Sequence, residues 1–455
     1  MNVNSIISDQ PRLTNGFSTV SIQVPKAGVW EVLDISFEEL YESFGEPDPI
    51  ALDFVLIAGI VYLLDKGVRR RSMEDAWTRT FEVPFPVSSP RSWELARASL
   101  QSALCFLTGD NWEISFTDRP QQLYVPKDRH RPPSGPTSAG AVSLFSGGLD
   151  SLIGALDYLA ATDERIFLLG HHDATGAGGD QRRLHTMLKE TPYAGRTDRR
   201  SVRVRPLPPA LALPGQEVSV HPDREQTLRS RSLVFLALGM YAAHALGEQV
   251  PLLIPENGFI AINIPLTPSR IGTCSTRTTH PYYLSLVREI CASVGLTNPF
   301  HNPLELVTKG EALAACHDQD VLAKLALDTV SCAHGSRRKR WIRRHARNCG
   351  YCVPCLIRRA ALHHLGWDNG EHYGIDVCAS ELALEEDVAS DVRAVLSCLA
   401  RVRSLLDIEE RVLQTGRLPR AQLRPTIAMV GRGLDELRDW VCAQGTLEMK
   451  RFARM

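Results

Sequence analysis

Hydrophobic positions along the chain switch between two periods, and the switches divide it. Residues 52–66 (LDFVLIAGIVYLLDK) and 92–107 (SWELARASLQSALCFL) carry helical patterns. Phe81, Val83 and Phe85, then Trp112, Ile114 and Phe116, alternate as half-buried strands do. A small α/β accessory domain over residues 1–125 is predicted. Residues 126–140 hold four prolines and two glycines and read as a linker. Beyond it, strand-like runs near 141–145, 166–170, 201–205 and 250–254 alternate with helical stretches. That alternation predicts an α/β fold with a doubly wound parallel sheet over residues 141–370, in which ligands gather at the carboxyl ends of the strands. Residues 371–455 read as wholly helical, with Val392, Val395, Leu396, Leu399 and Val402 on one face and Leu434, Leu437, Trp440 and Val441 on another.

Composition narrows the picture only a little. The chain of 455 residues carries 51 basic and 52 acidic side chains, so no global field recruits nucleic acid or an anionic membrane. The longest early apolar run, residues 54–64, is too short to span a bilayer. The first ten residues, MNVNSIISDQ, lack the basic and apolar regions of a secretory signal. With eleven cysteines, this points to a reducing cytoplasm in which thiolates bind metal rather than form disulfides.

The first chemical signal is SGGLDS at residues 146–151, between a strand-like run and an apolar helical pattern. Gly147 and Gly148 let backbone N–H groups approach an oligophosphate, and the helix that follows Leu149 adds unpaired donors and the positive end of its dipole. Ser146 and Ser151 add hydroxyls, while Asp150 is suited to hold the turn or to face a magnesium ion bridging the phosphates. No Walker-type GxxxxGK[ST] occurs. The second signal is Cys332 followed by Cys349, Cys352 and Cys355, four thiolates suited to one tetrahedral, structural zinc with no open position.

SGGLDS resembles the PP-loop of ATP pyrophosphatases, which cut ATP between the α and β phosphates. Together with the helical stretch LRSRSLVFLALGMYAAHALG (228–247), LVTKGEAL (306–313), TVSC ending at Cys332 and CGYCVPCLIRRAAL (349–362), it makes residues 140–367 similar to the QueC family, the 7-cyano-7-deazaguanine synthases. The resemblance implies an ATP-dependent C–N ligase that uses ATP and Mg2+ to adenylate the carboxylate of 7-carboxy-7-deazaguanine, and that carries structural Zn2+. It also implies that Lys309 is a cation on the ATP phosphates. The long loop between Cys332 and Cys349, the segment 254–281 and the N-terminal region resemble the QueC-like components of bacterial anti-phage Qat operons more than the biosynthetic enzymes. In that setting the amine acceptor is expected to belong to a partner protein. Ammonia as acceptor, a tRNA sulfurtransferase and a non-catalytic nucleotide-binding scaffold are the alternatives.

Other residues are candidates by position. His171, His172 and Asp173 follow a strand, and His172 is expected beside the nucleotide. Glu256 and Asn257 follow another strand end, and Ser275, Thr276, Arg277, Thr278, Thr279 and His280 form a polar run suited to a purine-like base and its carboxylate. Residues 336–347 surround Trp341 with Arg337, Arg338, Lys339, Arg340, Arg343, Arg344 and Arg347, a surface for an acidic protein or, less favoured, nucleic acid.

Overall fold

The computed structural model describes residues 12–15, 19–26, 29–36, 38–46, 48–119, 138–173, 177–207, 225, 227, 229–270 and 277–455. Ten strands are present among them: β1 (Arg12–Asn15), β2 (Thr19–Lys26), β3 (Val29–Ser36), β4 (Thr80–Val87), β5 (Asn111–Asp118), β6 (Ala141–Leu144), β7 (Ile166–His172), β8 (Thr197–Leu207), β9 (Leu252–Leu253) and β10 (Phe300–His301). Eight form one sheet in the order β1-β2-β3-β8-β7-β6-β9-β10, while β4 and β5 make a separate parallel pair.

From β8 to β10 every pairing is parallel. The order reverses at β6, which lies between β7 and β9. Strands buried on both faces need apolar residues in succession, and β7 (IFLLGHH) is buried through its first six residues. Alternate residues enter different cores: Val142, Phe167 and Leu169 enter one, Ala141, Ile166 and Leu168 another.

The expected boundary at residues 126–140 is not a boundary between cores. The first core runs from Leu33 and the helix Pro49–Gly67 through Phe81, Trp93 and Trp112 to Val142, Phe167 and the helix Arg231–Leu246. Strand β3 pairs antiparallel with β8, Ile35 opposite Val204, so the N-terminal segment widens the central sheet. Most of the predicted linker, residues 120–137, lies outside the described residues. Helix Pro49–Gly67 is apolar on all sides because it is buried on all sides; Asp48 caps it by accepting from the N–H groups of Ile50 and Ala51, each at 2.9 Å. Among the described residues no helix is long and apolar enough to cross a membrane.

The C-terminal region is helical as its periodicity predicts, with short 3-10 turns before Ser390. Val392, Val395, Leu396, Leu399 and Val402 are all buried, and so are Leu434, Leu437, Trp440 and Val441. They share one core with Cys349, Cys352 and Cys355. The long helix Arg420–Gln444 reaches three segments at once. Its Gly433 leaves room for Phe259, since a Cβ there would sit 2.5 Å from that ring. Its Glu436 accepts from the Thr308 hydroxyl and, at 3.3 Å, from the Gly310 N–H, while the same helix packs along Val353–His364.

Candidate functional site

The turn after β6 brings SGGLDS to the carboxyl end of the sheet, beside the point where the strand order reverses. Gly147 has φ +82°, a left-handed conformation that favours glycine, and its carbonyl accepts from the Val330 N–H at 2.9 Å. Gly148 donates to Ser146 Oγ at 3.2 Å, and Ser151 Oγ donates to the Gly148 carbonyl at 2.8 Å. The turn is therefore braced from within and from the segment that leads into Cys332. Leu149 begins the helix Leu149–Ala161, and its side chain enters the core.

Asp150 points away from open solvent into a buried polar cluster. Both its oxygens accept from Lys309 Nζ at 2.8 Å, and Asn257 Nδ2 donates to Asp150 Oδ2 at 2.9 Å. Asn257 also caps the short helix Gly258–Ile262, its Oδ1 accepting from the Ile260 N–H at 3.1 Å. Lys309 is fixed by the start of its own helix, where Thr308 and Glu311 form a capping box. Glu256 adjoins the cluster; burial first, then the neighbouring Asp150, pushes its carboxyl up to about 8. The expectation of a lysine free to meet phosphates is thus replaced by one already paired with a carboxylate. That carboxylate in turn accepts three hydrogen bonds from ammonium and amide donors, one at Oδ1 and two at Oδ2, out of about four acceptor positions.

A cavity of about 370 Å³ opens beside these groups, lined by Ser146 and Ser151 of the turn, Glu256, Thr278 and Thr279, and Cys332. Arg231 and Phe235 form another part of the lining, and Leu144, Leu236, Ile254 and Pro255 are its apolar surface. A volume of this size suits a small flat molecule or part of a nucleotide. The Oγ1 of Thr279 is buried without a hydrogen-bond partner among the described residues.

Other expected ligands are engaged elsewhere. Nδ1 of His172 shares a hydrogen bond with Ser201 Oγ at 2.9 Å, and His172 is not among the cavity-lining residues. Arg277 donates to the Phe106 carbonyl at 3.0 Å and lies over the Phe106 ring. His280 caps the helix Pro281–Ser293, its Nδ1 accepting from the Tyr282 N–H at 3.2 Å; burial and Arg277 push it down to about 3. Ser275 and Thr276 lie outside the described residues.

The four cysteines do converge, their sulfurs all lying within 4.8 Å of one another. Cys349 and Cys355 are 3.7 Å apart, close to the edge of about 3.8 Å expected when sulfurs surround zinc tetrahedrally at about 2.3 Å. Backbone N–H groups of His334 and Cys349 point at Cys332 Sγ, and those of Tyr351 and Cys352 at Cys349 Sγ. This cluster could hold a zinc ion in a closed shell. Compared with family models, curated proteins and solved structures, the chain matches none.

The basic segment is only partly a solvated surface. Trp341 is buried in the core beside the cysteines rather than open for stacking, Arg343 pairs with Glu371 and Glu381, and Arg347 with Asp180. Lys339, Arg340 and Arg344 are exposed, and the side chain of Arg337 is outside the described residues. Sequence reasoning counted the stretch 228–247 in the resemblance but gave Arg231 no role, since an arginine opening an apolar helix by itself points nowhere.

Proposed function

We propose that the protein is an ATP-dependent enzyme that adenylates the carboxylate of a 7-deazaguanine and transfers the acyl group to an amine of a partner protein. The observation that carries this reading is a cavity lined both by the hydroxyls of the SGGLDS turn and by the half-buried Glu256. The substrate carboxylate attacks the α-phosphorus and pyrophosphate departs; the amine then attacks the acyl carbon, the C–O bond to AMP breaks and an amide forms. Backbone N–H groups at the turn and the start of helix Leu149–Ala161 suit the phosphates. Glu256 is the cavity group suited to hold the proton that the amine loses. Magnesium travels with ATP as part of the substrate, and the carboxylates that face the cavity are Asp180 and Glu256. Zinc, held by the four cysteines, has a structural part only.

The test incubates the full-length protein with ATP, with and without 7-carboxy-7-deazaguanine, and follows AMP and pyrophosphate. Intact masses of candidate partner proteins are measured alongside. AMP formation that depends on the deazaguanine, with a partner gaining the acyl mass, is the expected result. AMP formation with ammonia as the only productive amine replaces the protein acceptor, and no base-dependent AMP at all removes the reading.

A further inference from the structure

Arg231, a cation in the cavity lining, has been assigned no task. Arg231 opens the helix Arg231–Leu246 and lines the cavity together with Phe235, one turn further on, whose ring lies 5.4 Å from the guanidinium carbon. One edge of its fork is tied down by a single residue: Nε donates to His171 Nδ1 at 3.0 Å and Nη2 to the His171 carbonyl at 3.2 Å. Nη1 has no hydrogen bond among the described residues, and no described carboxylate pairs with the guanidinium.

His171 is built for this purpose. It is fully buried, edge-on to Tyr62 and Phe235, and its Nε2 lies 3.1 Å from the Val204 carbonyl. Nε2 therefore carries the proton and Nδ1 presents its lone pair to the arginine. Burial, then the charge of Arg231, drives the imidazole down to about 3, so it remains a neutral acceptor at every working pH. A buried imidazole and its own carbonyl thus aim a planar fork whose remaining donors are uncommitted, an arrangement suited to a planar anion. Glu256 also lines the cavity, and its own charged neighbours include Asp150 and Lys309. Leu144, Leu236, Ile254 and Pro255 add apolar surface to the same lining.

We propose that Arg231, positioned by His171, binds the anionic group of a flat heteroaromatic ligand whose N–H donors face Glu256 and Thr279. The anion is a ring carboxylate or a nucleotide phosphate. The carboxylate assignment rests on the deazaguanine reading above; the anion-binding role does not.

Calorimetric titration of the full-length protein with three probes tests it: 7-carboxy-7-deazaguanine, 7-deazaguanine without the carboxylate, and AMP. Wild type should prefer the carboxylated base to the uncarboxylated one by at least about tenfold, the scale of one charge-assisted hydrogen-bonded pair. Arg231→Gln should abolish that preference and leave binding of 7-deazaguanine unchanged. Arg231→Lys should keep part of it, and His171→Leu should narrow it less than Arg231→Gln does. If instead wild type binds only AMP and Arg231→Gln weakens AMP at least about tenfold, the anion is phosphate: the inference stands and the deazaguanine reading falls. If Arg231→Gln binds every probe like wild type, or loses charged and uncharged bases equally, or if wild type binds no anionic probe, the inference is overturned.

Discussion

Replacing Lys309 with methionine tests the buried cluster most directly, because the unbranched side chain ends just one atom short of the ammonium and loses its charge and donors. In the wild type the ammonium is 1% exposed and its two bonds to Asp150 are both 2.8 Å. Removing one partner of such a pair strands the other charge, at a cost of about 3–5 kcal/mol. A typical domain has about 5–15 kcal/mol in all, so the loss would be plain in a denaturant midpoint. The cost also depends on pH. Without Lys309 the Asp150 carboxylate keeps only the Asn257 amide and faces Glu256, so its charged form loses its main stabilising partner. A carboxyl whose folded pKa lies above its unfolded value favours folding at low pH and loses that advantage as pH climbs, by about 1.4 kcal/mol per unit. Urea unfolding of Lys309→Met should therefore show its largest deficit at pH 8 and a clearly smaller one at pH 5.5. Asp150→Asn combined with Lys309→Met should recover much of the loss. A deficit under about 1 kcal/mol, or one equal at the two pH values, would refute the buried pairing and return Lys309 to a solvent-facing role at the phosphates.

Cys352→Ser should lower zinc content, measured by inductively coupled plasma mass spectrometry, together with the melting temperature, since the cysteines share a core with residues 389–453; full zinc occupancy and an unchanged melt would count against a closed structural shell. His171 and His280 are both pushed down to about 3, so each binds its proton on unfolding rather than in the folded state. Their contribution is complete above the unfolded value near 6.5 and declines as pH falls below it, by up to about 1.4 kcal/mol per unit for each. His280→Gln should flatten the acid limb of the guanidinium stability profile, and an unaltered slope would contradict a buried neutral His280. Gly433→Val places a side chain where Phe259 now lies and should cost about 1–3 kcal/mol, read as a lower denaturant midpoint.

Local signals in the sequence found local things. The alternating residues of β4 and β5, the apolar runs at β6 and β7 and the cysteine spacing each report on a short stretch, and each stretch has the predicted form. Partners far along the chain leave no such trace. Periodicity says which face of a strand is buried but not which strand lies beside it, so the pairing of β3 with β8 was invisible and the N-terminal segment looked separable. The same limit hid the meeting of Asp150 with Lys309, and it let His280 pass for a ligand when it is a helix cap. β9 falls inside the predicted run 250–254, whereas β10, also of two residues, left no period of its own.

The helix Arg420–Gln444 imposes an order of events in time. Chains emerge from the ribosome amino end first, at about 5–20 residues per second, and N-terminal parts fold as they appear. Here the segments bearing Glu256, Lys309 and the cysteine knuckle lean on a helix made more than sixty residues after Cys355, the last of the four clustered cysteines. The site can therefore be assembled only once the helix Arg420–Gln444 has emerged. Nascent or truncated chains would carry the SGGLDS turn without the support that sets its neighbours, which separates the making of the turn from the assembly of the residues around it.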